Sequence, residues 1–181
     1  MPIRRILALR VLLVSVAALA PAPATAPPLE TVPHADLTRY IGRWYEIARY
    51  PNWFERKCDH NVTADYSTKP TGQIRVVNAC ITKTGATDQS TGSAKIADPS
   101  TNAKLKVTFV WPFYGDYWII ALGDNYDYAV VGDPSRDYLW ILSRTPTLPD
   151  ALYQSILAAL PAKGYDAQRL VKTTQSAPAT P

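Results

Sequence analysis

Two segments of the chain, 61–66 and 104–109, alternate polar and apolar residues with a period of two. This pattern is typical of strands with one wet face and one apolar face. Six further short segments, bounded by Gly, Pro, Asn and Asp, are also predicted to be strands: 44–50, 73–80, 91–97, 117–122, 128–132 and 138–143. Eight strands joined by hairpin-length loops indicate an all-β fold, either an up-and-down antiparallel barrel or a sandwich.

One late segment has helical periodicity. Its apolar face and its ends are marked by Pro149, Leu152, Ile156, Leu160 and Gly164. The spacing predicts a helix of about 13 residues. A shorter helical turn is predicted at 36–41, with Asp36 as its N-cap. Because a single late helix cannot alternate with eight strands, an α/β fold is excluded, and the C-terminal helix should pack outside the sheet.

The N-terminus has the features of a secretory signal peptide. Residues 1–10 carry three arginines and no acidic residue, and residues 11–20 form an apolar run of ten. A retained membrane anchor is the alternative, although a spanning helix needs about 20 apolar residues. The predicted organisation is a signal peptide at 1–26 with cleavage near 24–26, a proline-rich linker at 27–33, one domain at 34–175 and a disordered tail at 176–181.

The charge balance changes when the predicted signal peptide is removed. The 181 residues include 19 Lys and Arg against 15 Asp and Glu, a net charge of +4. Without the three arginines of residues 1–26, 16 basic side chains oppose 15 acidic ones, a net charge of +1. This balance gives no basis for nucleic-acid binding. Phosphate loops, metal-ligand spacings and nucleophile motifs do not occur in the sequence, so no catalytic residue, metal or cofactor is predicted.

The chain contains two cysteines, Cys58 and Cys80. Since an exported protein folds in an oxidising compartment, a disulfide between them is predicted; a metal pair and a reactive thiol are the alternatives. If the two cysteines lie opposite each other in an antiparallel hairpin, Val62 faces Val76 across a loop at 67–71. In this register the apolar residues of both strands share one face.

Three motifs occur in order along the predicted strands. Gly42-Arg-Trp-Tyr-Glu-Ile47 opens the first strand, Asn125-Tyr-Asp-Tyr-Ala-Val-Val131 spans the hairpin between the sixth and seventh, and Ser143-Arg144 ends the eighth. Together they resemble the signature of the lipocalin family, in particular bacterial lipocalins and apolipoprotein D, over about residues 33–175. The resemblance implies an eight-stranded up-and-down antiparallel barrel that forms a ligand-binding calyx.

The resemblance also implies structural roles for three residues. Trp44 is expected to close the bottom of the barrel, Arg144 to cover its indole by a cation–π contact, and Gly42 to permit close approach of the backbone. Many bacterial lipocalins carry a lipidated cysteine at the mature N-terminus. Because no cysteine lies near residues 22–26, a lipid anchor is not expected.

The inward-facing residues of the barrel are predicted from strand alternation and, for the sixth strand, from the resemblance. In the first strand the inward set starts at Trp44 and includes Ala48; in the sixth it includes Ala121. Twelve residues are expected to line a ligand cavity: Glu46, Tyr50, Tyr66, Val76, Asn78, Val107, Phe109, Trp111, Tyr117, Ile119, Tyr138 and Trp140. The alternative for each aromatic residue is a filled core. An eight-stranded barrel leaves room for about one small ligand.

The predicted function is the storage or transport of a small hydrophobic ligand, a fatty acid or a lysophospholipid, by an exported protein that is periplasmic or secreted and not lipid-anchored. The expected partners are this lipid and, transiently, a membrane, but no nucleic acid; the protein should be a monomer or weak dimer. Two rival hypotheses are a lipocalin-fold enzyme that uses a cavity cysteine or acid and a binder of haem or another pigment.

Overall fold

A computed structural model describes residues 27–176. The predicted signal peptide at 1–26 and residues 177–181 of the predicted tail lie outside the described residues. The elements in chain order are α1 (Leu37–Tyr40), β1 (Gly42–Arg49), β2 (Cys58–Thr68), β3 (Ile74–Thr82), β4 (Thr87–Ile96), β5 (Lys104–Val110), β6 (Phe113–Leu122), β7 (Tyr128–Gly132), β8 (Leu139–Ser143), α2 (Asp150–Ala159) and β9 (Val171–Lys172). Among these residues, no helix has the length and hydropathy needed to cross a bilayer.

The first eight strands form a closed barrel. Each strand from β2 to β7 pairs antiparallel with the next one in sequence, and β1 closes the ring by pairing with both β8 and β2. This confirms the predicted eight-stranded up-and-down antiparallel barrel. Closure removes the free sheet edges that a sandwich would have to protect in another way.

The C-terminal segment fills a gap in the barrel wall. The β1–β2 ladder covers only the first half of β1, up to Tyr45. Beyond that point β9 pairs with Ala48 and Arg49, and the following residues bridge to β2 through a hydrogen bond from Asn61 N to Thr174 O at 2.9 Å. Residues 171–175 therefore form a strap between the end of β1 and the start of β2.

The helix α2 packs outside the barrel, as predicted. Its buried residues Tyr153 and Ile156, with Leu160 just after it, meet the outer faces of β6, β7 and β8. Leu29, from the segment predicted as a linker, is buried in the same outer core, and Val32 N donates to Ile119 O at 2.9 Å. The barrel thus has a second hydrophobic core on its outer surface.

The disulfide between Cys58 and Cys80 is confirmed, with Cα atoms 5.6 Å apart. The predicted strand register is wrong, because Tyr66 pairs with Val76 rather than with Gly72, a difference of four positions. Part of this offset arises because Cys58 pairs with Thr82 in the ladder, so the disulfide joins residues that are not directly opposite, and two irregularities in β2 between Cys58 and Thr63 supply the rest. Since the offset is an even number of residues, the predicted inward face of the hairpin is unchanged.

Irregularities in β1 and β6 make other predicted side-chain directions wrong. The β1–β8 register shifts between Glu46 and Ala48, so that Ala48 and Tyr50 lie in the outer core rather than inside the barrel. A similar shift in β6, between Ile119 and Ala121, turns Ala121 toward the outer core. Each extra residue reverses the alternation of the strand beyond it, which a strict period of two does not anticipate.

Candidate ligand-binding cavity

The barrel encloses a cavity of about 930 Å³ that opens at one end. This volume lies in the range of small-molecule sites, about 300–1,000 Å³. Exposed apolar side chains from the β1–β2 loop and the β5–β6 hairpin, including Trp53, Val110 and Phe113, lie along its entrance. Nine of the twelve residues predicted to line a cavity do line this one: Glu46, Tyr66, Val76, Asn78, Val107, Phe109, Tyr117, Tyr138 and Trp140.

Three predicted lining residues lie elsewhere. Tyr50 belongs to the outer core, where it stacks edge-on against Tyr165 at 5.8 Å between ring centroids, because of the bulge in β1. Trp111 lies in the hairpin between β5 and β6 and is 79% exposed, since the strand alternation ends before it. Ile119 points inward but is fully buried in the core below the cavity.

The floor of the cavity is a chain of three tyrosine hydroxyls. The Tyr117 hydroxyl lies 2.8 Å from that of Tyr40 and 2.9 Å from that of Tyr66. Burial raises the pKa of all three phenols, to about 12 for Tyr66. The floor is therefore uncharged at neutral pH, and its hydroxyls satisfy one another.

Below the floor, Trp44 and Arg144 close the barrel. Trp44 is fully buried and donates from Nε1 to the carbonyl of Tyr40 at 2.9 Å. The Arg144 guanidinium lies 3.8 Å from the centroid of the Trp44 ring, and its nitrogens donate to four backbone carbonyls: those of Arg39, Tyr40, Arg43 and Tyr126. Gly42 has a φ of +104°, and a Cβ there would lie 3.3 Å from Arg144 Nη1. These three residues seal the closed end without touching the cavity.

One wall of the cavity carries a buried ionic cluster. Arg49 Nη1 donates to Glu46 Oε1 at 2.8 Å, and Arg49 Nε lies 2.9 Å from Glu55 Oε2 as an ion pair without hydrogen-bond geometry. Thr173, from the C-terminal strap, donates to Glu46 Oε1. Trp140 Nε1 donates to Glu55 Oε1 at 3.3 Å. One guanidinium thus serves two carboxylates, which gives the cluster a net charge of −1 when both are ionised.

A family model described as a lipocalin-like domain matches residues 35–175. This chain is a lipocalin. It is 45% identical over 141 residues to the outer membrane lipoprotein Blc of Escherichia coli (strain K12), covering 77% of this chain and 79% of that protein. It is 40% identical over 156 residues to the temperature-induced lipocalin-1 of Arabidopsis thaliana, covering 82% and 83%. It is 33% identical over 160 residues to apolipoprotein D of Mus musculus, covering 83% and 82%.

Solved structures show the same fold at lower sequence identity. Insecticyanin from the tobacco hornworm Manduca sexta superposes with a TM-score of 0.69 at 23% identity, covering 86% of the lipocalin and 88% of that chain. The family suspected from the three motifs is therefore confirmed by sequence and by fold.

Arg49, Glu55 and Thr173 are cluster members that strand alternation did not predict. Arg49 follows the bulge in β1, which turns it to the same side as Glu46. Glu55 lies in the loop after β1, and Thr173 comes from a segment 127 residues beyond Glu46. In the sequence, the one signal for Arg49 is its positive charge after the apolar residues Ile47 and Ala48.

The carboxyl group of Glu46 titrates near neutral pH in the lipocalin. Burial and the charge of Glu55 raise the pKa of Glu46 to about 7, against the opposing effects of Arg49 and Thr173. Burial also raises the pKa of Glu55, while hydrogen bonds from Asn52 and the charge of Arg49 lower it. The cluster therefore gains negative charge as the pH rises through 7.

Replacing Glu46 with glutamine should change the pH dependence of stability. The folded protein holds the Glu46 proton more tightly than the unfolded chain, where the pKa is about 4.5, so the free energy of unfolding falls as the pH rises from 4.5 to 7. Raising the pH from 4.5 to 8 should therefore increase the free energy of unfolding of the variant relative to that of the wild type, by up to about 3 kcal/mol. Thermal unfolding at the two pH values measures it. The exposed Glu30→Gln is the control, and a pH-independent Glu46→Gln difference would contradict the assignment.

Proposed function

We propose that this lipocalin binds one single-chain lipid, a fatty acid or a lysophospholipid, in its barrel cavity and stores or transports it. The cavity of about 930 Å³, apolar toward its floor and open at one end, is the observation that supports this proposal. A chain of about 15 methylenes would gain on the order of 12 kcal/mol from burial. The costs of ordering the chain and of association reduce this to binding at micromolar concentration or below.

The distribution of polar groups suggests how such a lipid lies. The walls near the floor are formed by apolar and aromatic side chains, among them Val76, Val107 and Leu142. Charged side chains such as Glu55, Arg56 and Lys57 are in the loop before β2, beside the entrance. We therefore place the acyl chain toward Tyr66 and Tyr117 and the head group toward the entrance.

The entrance also supports the predicted transient contact with a membrane. Trp53, Val110, Trp111 and Phe113 are each between 67% and 79% exposed, and they belong to the two loops at the open end. Clustered exposed apolar side chains are typical of surfaces that contact lipid or another protein. A lipid could pass between bilayer and cavity through this rim without crossing water. We expect the protein to act as a monomer or weak dimer.

Export to the periplasm or the extracellular space is part of the proposal. The disulfide is a bond that persists in oxidising compartments. The relatives include a protein named as an outer membrane lipoprotein. In this chain both cysteines are joined to each other, so neither Cys58 nor Cys80 can carry an acyl chain.

The two rival functions have less support. Cys58 and Cys80 line the cavity, but the disulfide leaves no thiol to act as a nucleophile, which removes the cysteine form of the enzyme hypothesis and leaves only the form that uses a cavity acid. The two histidines of the chain, His34 and His60, are not among the cavity-lining residues. The residues that line the cavity therefore include no histidine that could ligate haem iron.

A displacement titration tests the proposed function. A fluorescent fatty acid added to delipidated protein should bind saturably at a 1:1 ratio, with a dissociation constant near or below about 1 μM. Unlabelled fatty acid or lysophospholipid of similar length should displace it. Absence of saturable binding at tens of micromolar, with the native fold confirmed by circular dichroism, would exclude a single-chain lipid as the ligand.

A further inference from the structure

Three aromatic side chains form a cluster on the cavity wall near its entrance. The rings of Tyr138 and Trp140 are nearly parallel, with centroids 5.8 Å apart. Phe54, from the β1–β2 loop, lies 5.8 Å from Tyr138 and 6.4 Å from Trp140. All three line the cavity and are partly accessible. They offer a ligand the electron-rich faces of three rings.

In the part of the chain that the structure describes, no cationic side chain lies over these three rings. Six other aromatic rings have an arginine or lysine positioned over them: Trp44, Tyr50, Tyr114, Trp118, Tyr126 and Tyr153. Within residues 27–176, no such contact involves Phe54, Tyr138 or Trp140. The aromatic cluster is thus available to a positively charged group from outside the chain.

Two carboxylates of the ionic cluster line the same cavity, and one of them adjoins the aromatic cluster. Glu55 is connected to it directly through the hydrogen bond from Trp140 Nε1. Glu46 is only 3% exposed, and Arg49 and Thr173 both donate to its Oε1. Among the described residues, no donor makes a hydrogen bond to its Oε2. Glu46 lines the cavity, so this oxygen is available to the positive charge of a bound ligand.

The charges around the cavity also favour a cation. Five of the seven charged side chains that line it are acidic: Glu46, Glu55, Asp88, Asp116 and Asp133. Asp88 is paired with Lys57 at 2.7 Å, and Asp116 with Lys106 at 2.9 Å. Glu46 and Glu55 share the single guanidinium of Arg49. Together Glu46 and Glu55 therefore carry one negative charge that Arg49 does not balance, while the other two lining charges, Asp133 and Arg56, form no ion pair within residues 27–176.

We propose that Phe54, Tyr138 and Trp140, together with Glu46 and Glu55, form a subsite for the positively charged nitrogen of an amphiphile, an ammonium or trimethylammonium head group. The proposal rests on the proposed function, since the tail of the amphiphile occupies the cavity. A quaternary nitrogen is attracted to aromatic faces and needs no hydrogen-bond acceptor, whereas a primary ammonium could also donate to Glu46 Oε2. A fatty-acid carboxylate in the same place would add a third negative charge.

The test compares three amphiphiles that share one tail. Tetradecyltrimethylammonium, tetradecanoate and tetradecanol, each below its micelle concentration, compete with the neutral dye N-phenyl-1-naphthylamine at pH 8. We expect the trimethylammonium compound to bind at least about tenfold more tightly than tetradecanoate, with tetradecanol between them. Equal affinities, or a preference for tetradecanoate, would overturn the subsite but leave lipid binding intact. If none of the three displaces the dye, the proposed function itself fails.

Matched variants test which side chains cause the preference for the trimethylammonium compound. Glu55→Gln and Glu46→Gln should each weaken binding of the trimethylammonium compound by about fivefold or more and leave tetradecanol unchanged. Trp140→Leu should weaken binding of the same compound more than binding of tetradecanoate. The control Glu30→Gln makes the same chemical change at an exposed site outside the cavity. Selectivity that survives both glutamine substitutions would refute the role of the carboxylates.

Discussion

Replacing Trp44 with alanine should lower the free energy of unfolding by about 4 kcal/mol, in the range for truncating a large buried aromatic side chain. Trp44 is fully buried, its indole nitrogen donates to the Tyr40 carbonyl, and Arg144 lies across its ring. The substitution therefore removes apolar contact, a hydrogen bond and a cation–π contact at once. For a domain of this size, about 4 kcal/mol corresponds to a fall in melting temperature of roughly 12 °C.

Thermal or denaturant unfolding measures this change, and Trp53→Ala serves as the control. Trp53 is 69% exposed at the cavity entrance, so its removal should alter the melting temperature by little. Similar free energies of unfolding for the two variants would contradict the stabilising role of Trp44 at the closed end of the barrel. Lipid affinity is a separate readout, since Trp44 does not line the cavity.

Replacing Val107 with tryptophan should weaken lipid binding about a hundredfold without unfolding the barrel. Val107 points into the cavity from β5, and its neighbours across the ladders are the small residues Ala94 and Gly115. An indole there would occupy space that the acyl chain needs. Excluding about four methylenes would cost about 3 kcal/mol, roughly a hundredfold in the dissociation constant.

The displacement titration with a fluorescent fatty acid measures this loss. Arg75→Trp is the matched control, because Arg75 is exposed between the buried residues Ile74 and Val76 of β3 and so faces away from the cavity. It should bind lipid as the wild type does. If Val107→Trp kept its affinity while its melting temperature matched the wild type, the lipid would have to bind somewhere other than this cavity.

The strand count and the order of the barrel follow from local chemistry. Alternating residues and turn-forming segments predicted all eight strands, although β4 begins at Thr87 rather than at residue 91. Its first residues, Thr87 to Ser90, are polar and show no alternation, so nothing in the pattern marked them as a strand. These residues are extended because they pair with β3 through backbone hydrogen bonds.

Side-chain direction was predictable only as far as each strand stayed regular. Tyr138, which directly precedes β8, and Trp140 and Leu142 on β8 all line the cavity, as the alternation predicted. On β1 a single irregular residue moved Tyr50 to the outer core and brought Arg49 to Glu46. No feature of the residues in this part of β1 identifies the irregularity.

Along the chain, short-range patterns and three ordered motifs were sufficient to establish an eight-stranded lipocalin barrel, its disulfide and its outer helix. They suffice because alternation, turn chemistry and helical spacing depend on residues a few positions apart. The ionic cluster needed the tertiary structure, since it joins β1, the following loop, β8 and a C-terminal strap. The raised pKa of Glu46 arises from burial and from charges that only the closed barrel brings together.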